Sequence, residues 1–252
     1  MTTEFRSALS LSLAIVLASL IGSSAFLRAK RLDQNIKITG SAKRRIKSDL
    51  MIWRTSVSVE AATLADGYGR LTRDVEKTKA FLISQGFPEN QIVISAVAAT
   101  PIRTSARVSQ KQVISQDDGA AAPSSRVTGY SLTQSLEIRS SEIDKLTAVS
   151  RKVTQLINQG ILLESNEPEY LYTKLADLKV AMLADAARDA RERAMQIASS
   201  AGGKVGEMRS AEMGVMQVNA ADANEISGYG VNDTKSVEKD VLAVVHVTFA
   251  LD

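Results

Sequence analysis

The sequence predicts an α+β fold: a mixed or antiparallel sheet covered by about three helices, built from strand–helix–strand units and preceded by an N-terminal transmembrane helix. Three observations predict it. Stretches of strand-like alternation change places with stretches whose apolar residues recur at helical spacing. The helical stretches open and close on capping residues. Twenty uncharged residues stand near the N-terminus. At 252 residues, with 44% apolar and 23% charged side chains, the chain can bury a sizeable core and reads as one compact body.

The first element is "ALSLSLAIVLASLIGSSAFL", Ala8 to Leu27, bracketed by Arg6 and Arg28. About 20 such residues cross a bilayer as a helix. Residues 1–27 are therefore a membrane anchor or a secretory signal. Ser23-Ser24-Ala25 resembles a cleavage site, but Glu4 cancels Arg6 and the apolar run exceeds the roughly 7 to 15 residues of a signal core, which favours a retained anchor. Residues 28–47 form a basic juxtamembrane segment leading into the first strand: Arg28, Lys30, Arg31, Lys37, Lys43, Arg44, Arg45 and Lys47 stand against Asp33 alone. The net charge of +3 is thus local, and the rest of the chain is mildly acidic. These eight cations are expected to lie along a membrane surface. No aromatic residue stands among them for base stacking, so nucleic-acid binding is only an alternative. The positive-inside rule by itself places the body in the cytoplasm.

Residues 36–40 ("IKITG") and 51–62 ("MIWRTSVSVEAA") read as strands. Thr63-x-x-Asp66 has capping-box spacing and starts a helix. Its stripe, Leu64, Tyr68, Leu71, Val75, Thr78 and Leu82, ends at Gly86 and Pro88. Residues 91–102 read as a buried strand and 126–140 as an alternating one. Ser141-x-x-Asp144 then caps a second helix with Ile143, Leu146, Val149 or Ser150, Val153 and Leu156 inward. A short strand at 169–173 leads to the longest helix, 174–201. The apolar stripe of this helix, Leu183, Ala187, Ala190, Ala194, Ile197 and Ala201, is mostly alanine and permits close approach to a sheet. Its charges pair among themselves, Asp185 with Arg188, Arg188 with Glu192 and Asp189 with Arg193, at about 0.2 to 0.5 kcal/mol each. Gly202-Gly203 follows the helix and supplies a left-handed cap, whereas a phosphate cradle needs glycines before a helix. Strands at 204–213 and 238–251 close the order. Segments 104–126 and 219–233 fit neither period and read as long insertions suited to partner contacts.

Chemistry is sparse. The chain has no cysteine and one histidine, which excludes thiolate nucleophiles, disulfides and sites needing two imidazoles. His246 lies in an alternating strand and reads as a half-buried structural imidazole. Glu164, Glu167 and Glu169 are the densest acids, but they lack calcium-loop spacing. No catalytic, cofactor-binding or metal-binding residue is assigned, and no small-molecule ligand is evident. A hydrolase or transferase using an Asp or Glu pair is the enzymatic alternative.

The ordered set "ITGSAKRRIKSD", "GFPENQIVIS", "VTGYSLTQSLEIR", "DARERAMQIASSAGGKVGEM" and "VLAVVHVTFAL" resembles the SIMPL-domain (YggE-like) family of bacterial envelope proteins, a domain of unknown function, over about residues 36–251. Ser48 departs from the family pattern, which has proline there. The resemblance implies an α+β fold, export by a signal or anchor, and assembly into homo-oligomers such as rings or channels, with no agreed catalytic residues. It also implies an extracytoplasmic body, which is preferred here over the charge rule. The expected partners are the chain itself and the bilayer, through Ala8 to Leu27. The expected role is a non-enzymatic one in envelope or oxidative stress.

Overall fold

β1 (Asn35–Lys47) and β2 (Leu50–Ala61) are separated only by Ser48 and Asp49, yet they enter different sheets. The computed structural model describes residues 15–24, 34–104, 126–223 and 225–251. Residues 15–24 form helix α1, and its Ile15, Val16, Leu17, Leu20 and Ile21 are all at least 51% exposed. Among the described residues no helix is long and apolar enough to cross a membrane. The remainder of the expected span, residues 8–14 and 25–27, lies outside the described residues, as does the core of the first insertion, 105–125.

The chain divides into two compact units, each assembled from non-contiguous pieces. Unit 2 holds Lys47–Thr173 and Thr234–Glu238. Its elements are β2, α2 (Leu64–Ser84), β3 (Ile92–Ile94), β4 (Ala98–Thr104), β5 (Arg126–Ser140), α3 (Ile143–Lys152), β6 (Leu162–Ser165) and β7 (Glu169–Leu171). The sheet order is β3-β5-β2-β6, with β4 also on β5 and β7 also on β2, and every pairing is antiparallel. Alternation decides the faces. Met51, Trp53, Val57 and Val59 of β2 pack with Leu132, Leu136 and Ile138 of β5 beneath the apolar stripes of α2 and α3. Trp53 is fully buried, and its Nε1–H donates to Ser165 Oγ at 3.1 Å, so the indole leaves no orphan donor. The opposite face is polar, with Ser56 and Ser135 at 3.0 Å and Ser58 and Thr133 at 2.9 Å sharing hydroxyl hydrogen bonds.

Helix α2 starts as its sequence requires: Thr63 Oγ1 accepts the Asp66 N–H at 3.3 Å. It ends on Gly86 at φ 87°, where Gly86 N–H reaches Ile83 O at 2.9 Å and Phe87 N–H reaches Leu82 O at 3.3 Å. This is a Schellman motif, closed by the buried pair Phe87 and Leu82. At the other end Leu64 and Tyr68 are exposed and Gly67 takes the inward position.

Three expectations in unit 2 need correction. Ser141 does not cap α3. Glu142 occupies the cap position without a side-chain bond, and Ser140 Oγ accepts the Glu142 N–H at 3.0 Å instead. The buried strand expected over 91–102 is two edge strands broken at Ser95, which pairs with Ser135 through N–H to O at 2.9 Å and Oγ at 3.0 Å. Edge position is what lets Pro101, which has no N–H, sit opposite Tyr130. The stripe of α3 continues to Val153 and Leu156 as expected, but over Val153–Gln159 the chain tightens into a 3-10 helix. Ser48, where the resemblance implies a proline, donates its N–H to Val237 O at 2.8 Å, a bond proline cannot make.

Unit 1 holds Met1–Ile46, Lys174–Asp233 and Lys239–Asp252. Its elements after α1 and β1 are α4 (Leu175–Ser200), β8 (Val205–Met213), β9 (Gln217–Ala220) and β10 (Glu238–Leu251). β10 is central, with β1 on one side and β8 and β9 in succession on the other. Gln34 meets Leu251, Thr39 meets His246 and Arg45 meets Asp240, so β1 and β10 run antiparallel. Helix α4 covers the face bearing Val245, Val247 and Phe249. Its buried row is Leu178, Met182, Ala186, Ala190, Ala194 and Ala198, in steps of four throughout. The expected stripe was right at Ala190 and Ala194 and wrong at Ala187, Ile197 and Ala201, because an i+4 row runs obliquely across the helix and suits a twisted sheet. The helix ends on the predicted glycines: Gly202 has φ 78°, and the Gly203 N–H reaches Ala198 O at 2.8 Å.

Candidate functional site

Two features of unit 1 concentrate unusual residues. The first is an ion-pair hub at the start of β10. Asp240 is 3% exposed, and its carboxylate accepts from Arg45 Nε at 2.9 Å, Lys43 Nζ at 3.0 Å and the Asp222 N–H at 3.0 Å. Arg45 also reaches Asp222 Oδ1, and Asp222 stands at φ 65°, a left-handed conformation that Asp tolerates better than most residues. The Arg45 hydrogen bond, then the Asp222 amide and Lys43, hold the Asp240 carboxyl far below the usual range, and the same contacts keep Arg45 charged. Next to it Lys239, 2% exposed, donates to the Asp233 carbonyl, and burial pushes its ammonium below the usual lysine range.

The second feature is an apolar groove of roughly 650 Å³. Leu175 and Leu183 of α4, Met213 at the end of β8, Val215 after it, Val218 of β9 and Tyr229 line it, with Lys179 as its charged member. One wall is the segment 219–233 expected as a long insertion. Its described residues, 219–223 and 225–233, are held at several points. The buried Gln217 amide donates to Ser227 O at 2.8 Å, and the buried Asn219 amide donates to Glu225 O at 2.8 Å. Val218 is flanked by the Val231 carbonyl and the Asp233 N–H, each at 2.8 Å. The segment therefore presents Ile226, 77% exposed, and Tyr229, fully exposed, from a fixed base.

The predicted membrane-surface cations divide. Arg28, Lys30 and Arg31 lie outside the described residues. Lys37 and Lys47 are exposed on β1. Lys43 and Arg45 serve Asp240, and Arg44 Nη2 meets Asp185 at 2.8 Å. Of the three expected α4 pairs two form, Asp185 with Arg188 at 3.2 Å and Asp189 with Arg193 at 2.9 Å; Arg188 turns to Asp185 and not to Glu192. Asp189 also accepts the Ser41 N–H at 2.8 Å, the principal cause of its lowered pKa. His246 is exposed rather than half-buried, because α4 covers the other face of β10, and its Nδ1 lies 3.0 Å from Thr39 Oγ1.

Two of the three clustered acids, Glu169 and Glu167, likewise meet cations. Glu169 meets Arg54 at 2.6 Å and Glu167 meets Lys235 at 3.0 Å. Glu137 is held below the usual carboxylate range by Arg139 and then Arg54. Among the described residues no cluster of three His, Asp or Glu could hold a metal.

The family model of SIMPL, a protein of unknown function (DUF541), matches residues 36–249. The chain belongs to the SIMPL family. A search of curated proteins finds no match. The SIMPL match runs through both compact units, so hub and groove belong to the family domain and not to an appended segment. Sequence reasoning missed the hub and the groove. Its Lys/Arg run was visible, but the acids that meet it lie about 140 to 200 positions away.

Proposed function

We propose that this SIMPL protein is a membrane-tethered envelope protein that acts by self-association, without catalysis, with its body outside the cytoplasm. The observation that carries this reading is the apolar groove beside the fully exposed Tyr229. A contiguous apolar surface held on a rigid base marks an interaction site more than a soluble face. The exposed apolar side chains of α1 support a tether, since lipid would cover them. The enzymatic alternative calls for a cleft with convergent carboxylates of perturbed pKa. Among the described residues the shifted carboxyls, Asp240, Asp189, Glu137 and Glu89, are lowered by cations or amide donors.

Light scattering of the full-length chain in detergent is expected to give one discrete oligomer, and a strict monomer at micromolar concentration overturns the reading. A reporter fused after Asp252 that works only outside the cytoplasm is expected to be active. A silent fusion in cells that contain the protein refutes an extracytoplasmic body.

A further inference from the structure

The geometry points to a second copy of this chain as the occupant of the unit 1 groove, entering by its own tip: Ile226 and Tyr229 of each copy seat in the groove of the other. The inference rests on the self-association reading and specifies its surface. Three observations carry it.

Tip and groove lie side by side on one unit, which is what a two-fold interface demands, because each copy must offer both halves. The tip is tied down at Glu225 and Ser227. Gln217 and Asn219, 3% and 5% exposed, tie its two ends through their amides, so docking freezes little new backbone. The charges are complementary. Lys179 is the charged residue of the groove and Glu225 adjoins Ile226 at the tip, and neither takes part in an ion pair among the described residues. In a reciprocal pair each Lys179 meets the Glu225 of the other copy, so the contact is made twice. Glu225 at the tip disfavours an anionic lipid surface as the occupant.

The test uses the full-length chain in detergent. Lys179→Glu and Glu225→Lys are each expected to weaken assembly about fivefold, and the double variant to restore it. Tyr229→Ala is expected to abolish the contact with an unchanged circular dichroism spectrum, since the ring is fully exposed. The chain has no cysteine, so mixing a Tyr229→Cys chain with a Leu183→Cys chain gives a disulfide between different copies only where tip meets groove. Crosslinking together with charge-swap rescue supports the inference. Assembly of Tyr229→Ala and Lys179→Glu at parental strength overturns it and leaves self-association standing. Loss of cosedimentation with phosphatidylglycerol vesicles, without change in oligomer size, places lipid at the tip and overturns it as well. A monomeric parent chain removes both readings.

Discussion

Gly40→Ala is expected to destabilise the protein by about 3 kcal/mol or more. A Cβ at Gly40 would stand 2.2 Å from Ala186 O and 2.6 Å from Ala190 Cβ. Neither atom is the end of a flexible side chain, so relief requires lifting α4 from β1. That shift would also pull Asp189 from the Ser41 N–H, 2.8 Å away, and uncover an amide of an edge strand. Gly69→Ala is the control of opposite sign. Gly69 lies within α2 with nothing within 4 Å of its would-be Cβ, so alanine gains helix propensity, up to about 1 kcal/mol. Urea unfolding followed by circular dichroism separates the two. A parental midpoint for Gly40→Ala would refute the close packing of α4 on β1.

Asp240→Asn is expected to lower Tm at neutral pH by several degrees and to flatten the acid limb of the stability curve. The substitution leaves Arg45 and Lys43 without the carboxylate they share, and Asp222 in a left-handed conformation anchored by a weaker acceptor. The pH sign follows from linkage. A carboxyl with a depressed folded pKa binds fewer protons folded than unfolded. Its stabilisation is therefore complete above the ordinary Asp value, about 3.9, and is lost as pH falls toward the folded value. Asp189, Glu137 and Glu89 shift in the same direction and steepen the same limb. Thermal unfolding from pH 7 to pH 2 tests this, and an acid limb in the Asp240→Asn variant as steep as in the parent chain would exclude the hub as its source.

Much of the local structure was legible. β5 spans Arg126–Ser140 as read, α4 begins and ends within a residue of 174–201, and Thr63, Gly86 and Gly202 punctuate helices as their types require. Each of these depends on neighbours a few positions apart, which periodicity and capping report directly. β6 and β9 were missed because four residues are too few to show a period. The apolar face of α4 was misplaced because a 4-3 stripe and a row of fours share Ala190 and Ala194 and differ only in what lies opposite.

The sites were less legible for the same reason. The run Lys43-Arg44-Arg45 looked like a free basic surface, and nothing near it in the chain could show Asp185, Asp222 and Asp240 meeting it. The segment 219–233 looked like an open loop because its side-chain restraints are two buried amides, and Gln and Asn carry no periodic signature.

The amino-acid sequence alone determined the α+β class, the order of most elements, the ends of α2 and α4 and the SIMPL family, all of which follow from short-range spacing or from the ordered set of motifs. Only the tertiary structure decided that β1 and β2 part at Ser48-Asp49 into two compact units, that the basic strand neutralises its own acids, and that a groove lies beside Tyr229. Those are contacts between residues far apart in the chain, and closing such loops is governed by the packing of whole faces, which no local pattern records.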